Sequence, residues 1–262
     1  MVDPVRISSP DNPLYRTVKK LVGSARERRK SRRTVLDGWH LLEAYAQIHG
    51  APEKVLLAER AAAGAEARHW LPGIDARRIA VLEDRLFDRL APVDEPSGVL
   101  SLIAIPGPPP QAGVFRLLLE DIQDPGNLGS ILRSAAAAGA DVVHLSKGCA
   151  DAWSPKALRG GMGAQFRLAL HEHADLVAAA RGFPGQVIAT SLEASESLYA
   201  LDLTGPCAFV FGNEGAGLSD DLLAAASHRV RIPMPGAIES LNAAAAAAVC
   251  LFERVRQRSS RA

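Results

Sequence analysis

Apolar and polar positions follow two different periods along this chain, and each period predicts a different element. Short runs dense in Val, Ile and Leu, at Val55–Ala58, Ile79–Leu82 and Val99–Ile105, are bounded by charged or turn residues and predict buried strands. Asp84–Leu90 reads as a helix between the last two, Thr34–Gly38 as a short strand and turn, and Trp39–His49 carries apolar residues at helical spacing. Farther along, Phe115–Leu119, Val142–Leu145, Val187–Thr190, Ala208–Phe211 and Val230–Ile232 predict strands. A helix from Leu128 to Ala138, closed by Gly139, falls among them, and a last helix runs from about Asn242 to Gln257. Strands alternating with helices are the pattern of a parallel sheet flanked by helices, so the fold class is α/β.

The proline-rich stretch from Ile105 to Gln111 interrupts this pattern, because successive prolines remove backbone donors and favour an extended connector. Two domains are therefore expected, residues 1–106 as a smaller α/β domain and residues 113–262 as the larger one; 262 residues suit two modest units. A hydrophobic content of 48% with 23% charged residues is that of globular proteins able to bury real cores. The most apolar stretches are broken within a few positions, and no apolar run follows basic residues near the start, so a cytoplasmic protein without membrane contact is expected. Cys149, Cys207 and Cys250 are odd in number and far apart, which predicts reduced thiols and no metal site.

Charge changes the picture in one place. Net charge is only +1, yet Leu14–Arg33 holds nine Lys and Arg against one acid, Glu27, leaving the remainder acidic. Such a single-signed run suits a polyanion, because clustered cations gain free energy by displacing the counterions of a phosphate backbone. Arg28, Arg29, Arg32 and Arg33 are the candidate contacts.

Three loops in the second half carry candidate chemistry. In Glu120–Arg133, Pro125 and Gly126 make a turn, Asn127 can act as helix N-cap, and Arg133 follows six residues later. In Phe209–Ser219, a buried strand runs into Gly212, Gly215 and Gly217 around the acid Glu214, which lets backbone approach a ligand closely. The spacing fails as a dinucleotide fingerprint, since Asp220 stands where a third glycine is needed. In Ile232–Asn242, prolines stiffen the approach to a helix start at which Ser240 or Asn242 can cap.

Taken together, Asn127-x-Gly129-x-x-x-Arg133, Gly212-Asn213-Glu214-Gly215-x-Gly217-Leu218 and Ile232-Pro233-Met234-x-Gly236-x-x-x-Ser240-Leu241-Asn242 closely resemble the three ordered motifs of the SpoU, or TrmH-like, RNA 2′-O-methyltransferases. The resemblance spans roughly Phe115–Arg256; the N-terminal part, with Ile7-Ser8-Ser9-x-x-Asn12-Pro13, looks like the family's substrate-binding domain but departs from it at Gly38-Trp39-His40. It implies a C-terminal trefoil knot and a homodimer whose site draws on both subunits. It implies transfer of a methyl group from S-adenosylmethionine to a ribose 2′-hydroxyl of RNA, ribosomal ahead of transfer RNA. By the same resemblance, Thr190, Ser191, Leu192, Gly212, Asn213, Gly217, Ile232, Met234 and Leu241 would hold the cofactor. Asn127, Arg133, Glu214, Ser240 and Asn242 would form the reaction site. Arg133 serves better as a cation than as a base, because a guanidinium does not give up its proton in proteins. The alternative is a noncatalytic RNA-binding or ribosome-assembly protein that keeps the fold.

Overall fold

The computed structural model describes residues 4–93, 95–108, 113–213, 215–236 and 238–260. The chain divides into two compact units, Met1–Pro106 with Trp153–Phe166, and Gly107–Ala152 with Arg167–Ala262. Residues 109–111 of the expected connector, and residue 112 after it, lie outside the described residues.

In the first unit, β1 (Val5–Ile7), β2 (Arg33–Asp37), β3 (Lys54–Ala58), β4 (Ile79–Leu82) and β5 (Val99–Ala104) form one sheet in the order β1-β4-β3-β5-β2. Pairing is parallel among β1, β4 and β3 and antiparallel where β5 meets β3 and β2. Alternate residues of β3 face opposite ways, so both faces need cover. Leu56 packs with Tyr15, Val18 and Leu21 of the helix Pro13–Gly23, whereas Val55 and Leu57 pack with Leu42 of the helix Trp39–His49. β1 escaped the sequence reading because two of its three residues are exposed.

The arginine-rich run is two helices rather than one. Backbone at Ser24 is extended, and its hydroxyl accepts from the Glu27 N–H to cap the second helix, Ala25–Ser31. Arg28 turns back across this elbow, its guanidinium donating to the carbonyls of Leu21 and Val22. A helix leaves its last carbonyls without intrahelical partners, and here a buried side chain satisfies two of them. Only 5% of Arg28 is exposed, which corrects its reading as a free phosphate contact.

Trp153–Phe166 lies inside the span expected for the second domain but clusters with the first unit. The Thr34 hydroxyl donates to the Trp153 carbonyl at 2.6 Å, and Arg159 pairs with the buried carboxylate of Asp37 at 2.7 Å. Phe166 meets the Tyr45 ring edge-on at 5.4 Å.

The second unit holds β6 (Phe115–Leu119), β7 (Val142–Leu145), β8 (Ala169–His171), β9 (Gln186–Thr190), β10 (Glu196–Ser197), β11 (Cys207–Phe211) and β12 (His228–Arg231). Their order is β10-β12-β9-β11-β6-β7-β8, and every pairing is parallel. β11, in the interior, is buried at all five residues, as expected of a strand covered on both faces. β8 and β10 are short and partly polar, so periodicity did not find them. The helices Pro125–Ala137 and Ala243–Ser259 pack against each other. Cys207 and Cys250 are buried and Cys149 half-buried, all as free thiols; burial pushes the Cys250 thiol up to about 12.

Candidate functional site

β12, β9 and β11 are neighbours in the sheet, so the loops leaving their carboxyl ends emerge side by side. In open parallel sheets that edge is where ligands bind. A cavity of about 480 Å³ opens there, a size suited to a small cofactor. Thr190, Ser191 and Leu192 line it from the end of β9, Gly212, Asn213 and Gly217 from the loop after β11, and Ile232, Met234, Ser240 and Leu241 from the loop after β12.

The glycine loop closes on itself before it meets any ligand. Asn213 and Gly217 exchange both backbone hydrogen bonds, at 3.0 and 2.9 Å, and Gly217 takes a left-handed φ of 72°. Gly212 sits beneath this closure, where a Cβ would strike the carbonyl of Gly217. Its missing side chain therefore makes room for the loop's own backbone, not for a ligand as the sequence suggests. The Asn213 amide is likewise engaged, its Oδ1 accepting from the N–H groups of Gly215 and Ala216 and its Nδ2 donating to the Asp121 carbonyl. Thr190, on the cavity wall, donates its hydroxyl to the Val210 carbonyl at 3.1 Å. Glu214 lies outside the described residues.

The first motif differs from expectation at its cap. The helix begins at Pro125, and Asp124 caps it by accepting from the Asn127 N–H at 2.8 Å. Asn127 is thus the third helical residue, and its side chain accepts from Nδ2 of Asn242 at 3.0 Å. Asn242 in turn caps the last helix through Oδ1, which accepts from the N–H groups of Ala244 and Ala245. An acid directly before a helix-starting proline is a stop-and-start signal that could have located this cap.

Arg133 stands apart. Six helical residues place it about 9 Å along the axis from Asn127 and turned away from it by about 120°. It is exposed, is not among the cavity residues, and forms no hydrogen bond or ion pair among the described residues. Of the expected reaction-site residues, the structure puts Ser240 on the cavity wall and joins Asn127 to Asn242, but Asn127, Asn242 and Arg133 are not among the residues lining the cavity.

Sequence reasoning missed several wall residues. Glu193 and Asp220 bring carboxylates to the cavity, and Leu218 and Leu223 bring apolar surface. Glu120, at the end of β6, accepts from both the N–H and the hydroxyl of Ser219 at 2.8 Å, which anchors the exit of the glycine loop. Apolar walls suit a purine, exposed loop backbone suits polar ligand edges, and the two carboxylates favour a ligand carrying positive charge. S-adenosylmethionine, with its sulfonium and ammonium groups, fits that set.

Comparison with known proteins agrees. Residues 114–252 match the SpoU rRNA methylase family model. The chain is 34% identical to an uncharacterised tRNA/rRNA methyltransferase of Synechocystis sp., covering 97% of this chain and 95% of that one. It is 30% identical to a 23S rRNA uridine 2′-O-methyltransferase of Streptomyces viridochromogenes, over 95% and 91%. Among solved structures, an RNA 2′-O ribose methyltransferase superposes with a TM-score of 0.82 at 30% identity, over 97% of this chain and 100% of the other. The S. viridochromogenes SpoU methyltransferase AviRb in complex with AdoMet gives 0.81 at 29%, over 95% and 100%.

Proposed function

The chain belongs to the SpoU rRNA methylase family, and from that membership we infer that it is an S-adenosylmethionine-dependent methyltransferase acting on a ribose 2′-hydroxyl of ribosomal RNA. The observation that carries the reading is the convergence on one cavity of the loops leaving the carboxyl ends of β9, β11 and β12, the last two of which carry the second and third motifs. When bound, the cofactor supplies an electrophilic methyl group on a sulfonium. This chain's contribution is mainly to hold donor and acceptor in line, which alone can supply a large share of the rate.

Each residue then has a defined task. The backbone around Ser191, Gly212, Ile232 and Leu241 binds and bends the cofactor. Asn127 and Asn242 are bonded to each other, and Asn242 follows the cavity residues Ser240 and Leu241 in the chain, so we place the ribose beside this pair. Arg133 steadies the nucleotide phosphate and the charge that develops on the ribose oxygen, and Glu214 orders that cation or accepts the proton through water.

Because Arg133 is exposed and is not among the residues lining the cavity, we place it at the site of a second copy in a homodimer. The C-terminal segment that closes the cavity is threaded as a trefoil knot, and the first unit binds RNA. No helix among the described residues is long and apolar enough to cross a membrane, which agrees with work in the cytoplasm, where ribosomal RNA is found.

The test is single-turnover transfer of labelled methyl to ribosomal RNA from a strain lacking the gene. Label recovered as a 2′-O-methylnucleoside is the expected result. Tight binding of cofactor and RNA without any transfer would overturn the enzyme reading in favour of an RNA-binding protein that keeps the fold.

A further inference from the structure

Another depression lies in the first unit, far in sequence from the motif loops. It measures about 560 Å³ and is lined by Arg16, Lys19, Lys20, Gly23 and Ser24, at the elbow between the helices Pro13–Gly23 and Ala25–Ser31. Positions 16, 19 and 20 are three and four apart, so their cations rise from one helical face. The opposite face buries Tyr15, Val18 and Leu21 in the core, which fixes the direction in which those cations point. Arg28, bonded to the carbonyls of Leu21 and Val22, fixes the elbow itself.

The lining contains no acid. Arg16 is paired with Asp11, but both side chains are well exposed, so that pair is weak in water. Lys19 and Lys20 make no hydrogen bond or ion pair among the described residues. Farther along the basic run, Arg33 is bound to Glu53 at 3.0 Å and Arg32 donates to the Pro106 carbonyl. Arg26, Arg29 and Lys30 also make no hydrogen bond or ion pair among the described residues, but of the unpaired cations in the run only Lys19 and Lys20 line the depression.

The geometry points to this elbow as a docking site for the phosphodiester backbone of the RNA substrate, with Lys19 and Lys20 as the main phosphate contacts. This rests on the methyltransferase reading for the identity of the polyanion. A nucleic acid suits the site better than an acidic protein, because the lining has no large apolar side chain to form the dry centre of a protein interface. Clustered cations without acids are what phosphate rewards through counterion release.

The test uses the full-length protein, a fluorescein-labelled RNA hairpin and fluorescein-labelled polyglutamate, titrated across a range of salt. One variant is Lys19→Ala with Lys20→Ala. The other is Gly23→Glu, which places a negative charge in the depression at a position where an added Cβ has nothing within 4 Å, so the fold tolerates it. Removing two phosphate contacts should lower the slope of log affinity against log salt by about 1.5 and weaken hairpin binding roughly tenfold at moderate salt. Gly23→Glu should weaken it at least as much, while adenosylmethionine titration remains that of the wild type.

Wild-type hairpin affinity and salt slope in both variants would overturn the site, and so would equal binding of polyglutamate with equal loss in the variants. Wild-type protein that transfers no methyl to ribosomal RNA, while the variants still lose hairpin binding, would overturn the enzyme reading and leave the docking site standing.

Discussion

In sequence, the arginine-rich elbow of the first unit and the glycine loop that follows β11 are alike. Each is a run of one residue character whose obvious use is to hold a ligand. In the structure both first satisfy their own backbone. Arg28 neutralises carbonyls at the end of a helix, Gly212 yields its side-chain space to the Gly217 carbonyl, and the Asn213 amide closes the turn. What remains available for ligands is the set of neighbours with no such duty: Lys19 and Lys20 at the elbow, and Ile232, Met234 and Leu241 on the cavity wall. The most conspicuous residues of a motif can therefore build the site while plainer ones touch the ligand. The reason is that an unsatisfied buried backbone group costs as much as a lost hydrogen bond.

The sharpest way to break this comparison is Gly212→Val. If the glycine serves the loop's closure, the variant loses adenosylmethionine binding entirely and also melts earlier, whereas Gly215→Ala, which meets only Asn213 Oδ1 at 3.5 Å, binds nearly as the wild type does. Calorimetry with thermal melts decides it. An unchanged melting temperature with lost binding would return Gly212 to the role of direct ligand contact.

Arg133 is the opposite case, a motif residue that forms no hydrogen bond or ion pair among the described residues. Arg133→Ala should keep fold and cofactor affinity but slow methyl transfer by roughly two to three orders of magnitude, the range for losing one preorganised electrostatic group. Lysine should rescue poorly because it lacks the planar fork. Mixing this variant with one disabled by Asn242→Ala should restore part of the activity if the two residues act across subunits, and restore none if they act within one chain.

A smaller effect separates the two kinds of arginine. Arg28→Ala should cost about 1–3 kcal/mol in urea unfolding, since it removes charged hydrogen bonds and leaves helix carbonyls unpartnered. Arg29→Ala, at an exposed position beside it, should stay within about 0.5 kcal/mol. Equal losses would erase the distinction between buried and free cations in the run.

The smallest expected change lies outside both regions. His144 on β7 stacks on His171 with ring centroids 5.0 Å apart, and its Nε2 has no hydrogen-bond partner among the described residues. Burial first, then His171 and Arg116, lower its pKa to about 4. The unfolded chain takes up this proton near the ordinary histidine value of about 6.5, so the native state loses ground as pH falls from there toward 4. His144→Leu should flatten the fall in melting temperature across that window. A wild-type profile in the variant would assign the acid sensitivity to other groups.

The amino-acid sequence alone determined those features whose causes lie within a few residues. Alternation and apolar density produced β3, β6, β7 and β11 nearly at their true limits. The ordered motifs, by resemblance, indicated the methyltransferase, and several of the residues they named line the cavity. Asp124 was equally local, and could have been recognised from the proline that follows it.

Tertiary structure decided the rest, because those contacts join residues far apart in sequence and leave no local period. Only the parallel order β12-β9-β11 brings Thr190, Gly212 and Ile232 to one cavity. Long-range contacts, such as the pairing of Asp37 with Arg159 and of Thr34 with the Trp153 carbonyl, tie Trp153–Phe166 to the first unit. Whether a cation is free or occupied is likewise set by which carbonyls and carboxylates the folded chain places within its reach, as Arg28 and Lys20 show at the same elbow.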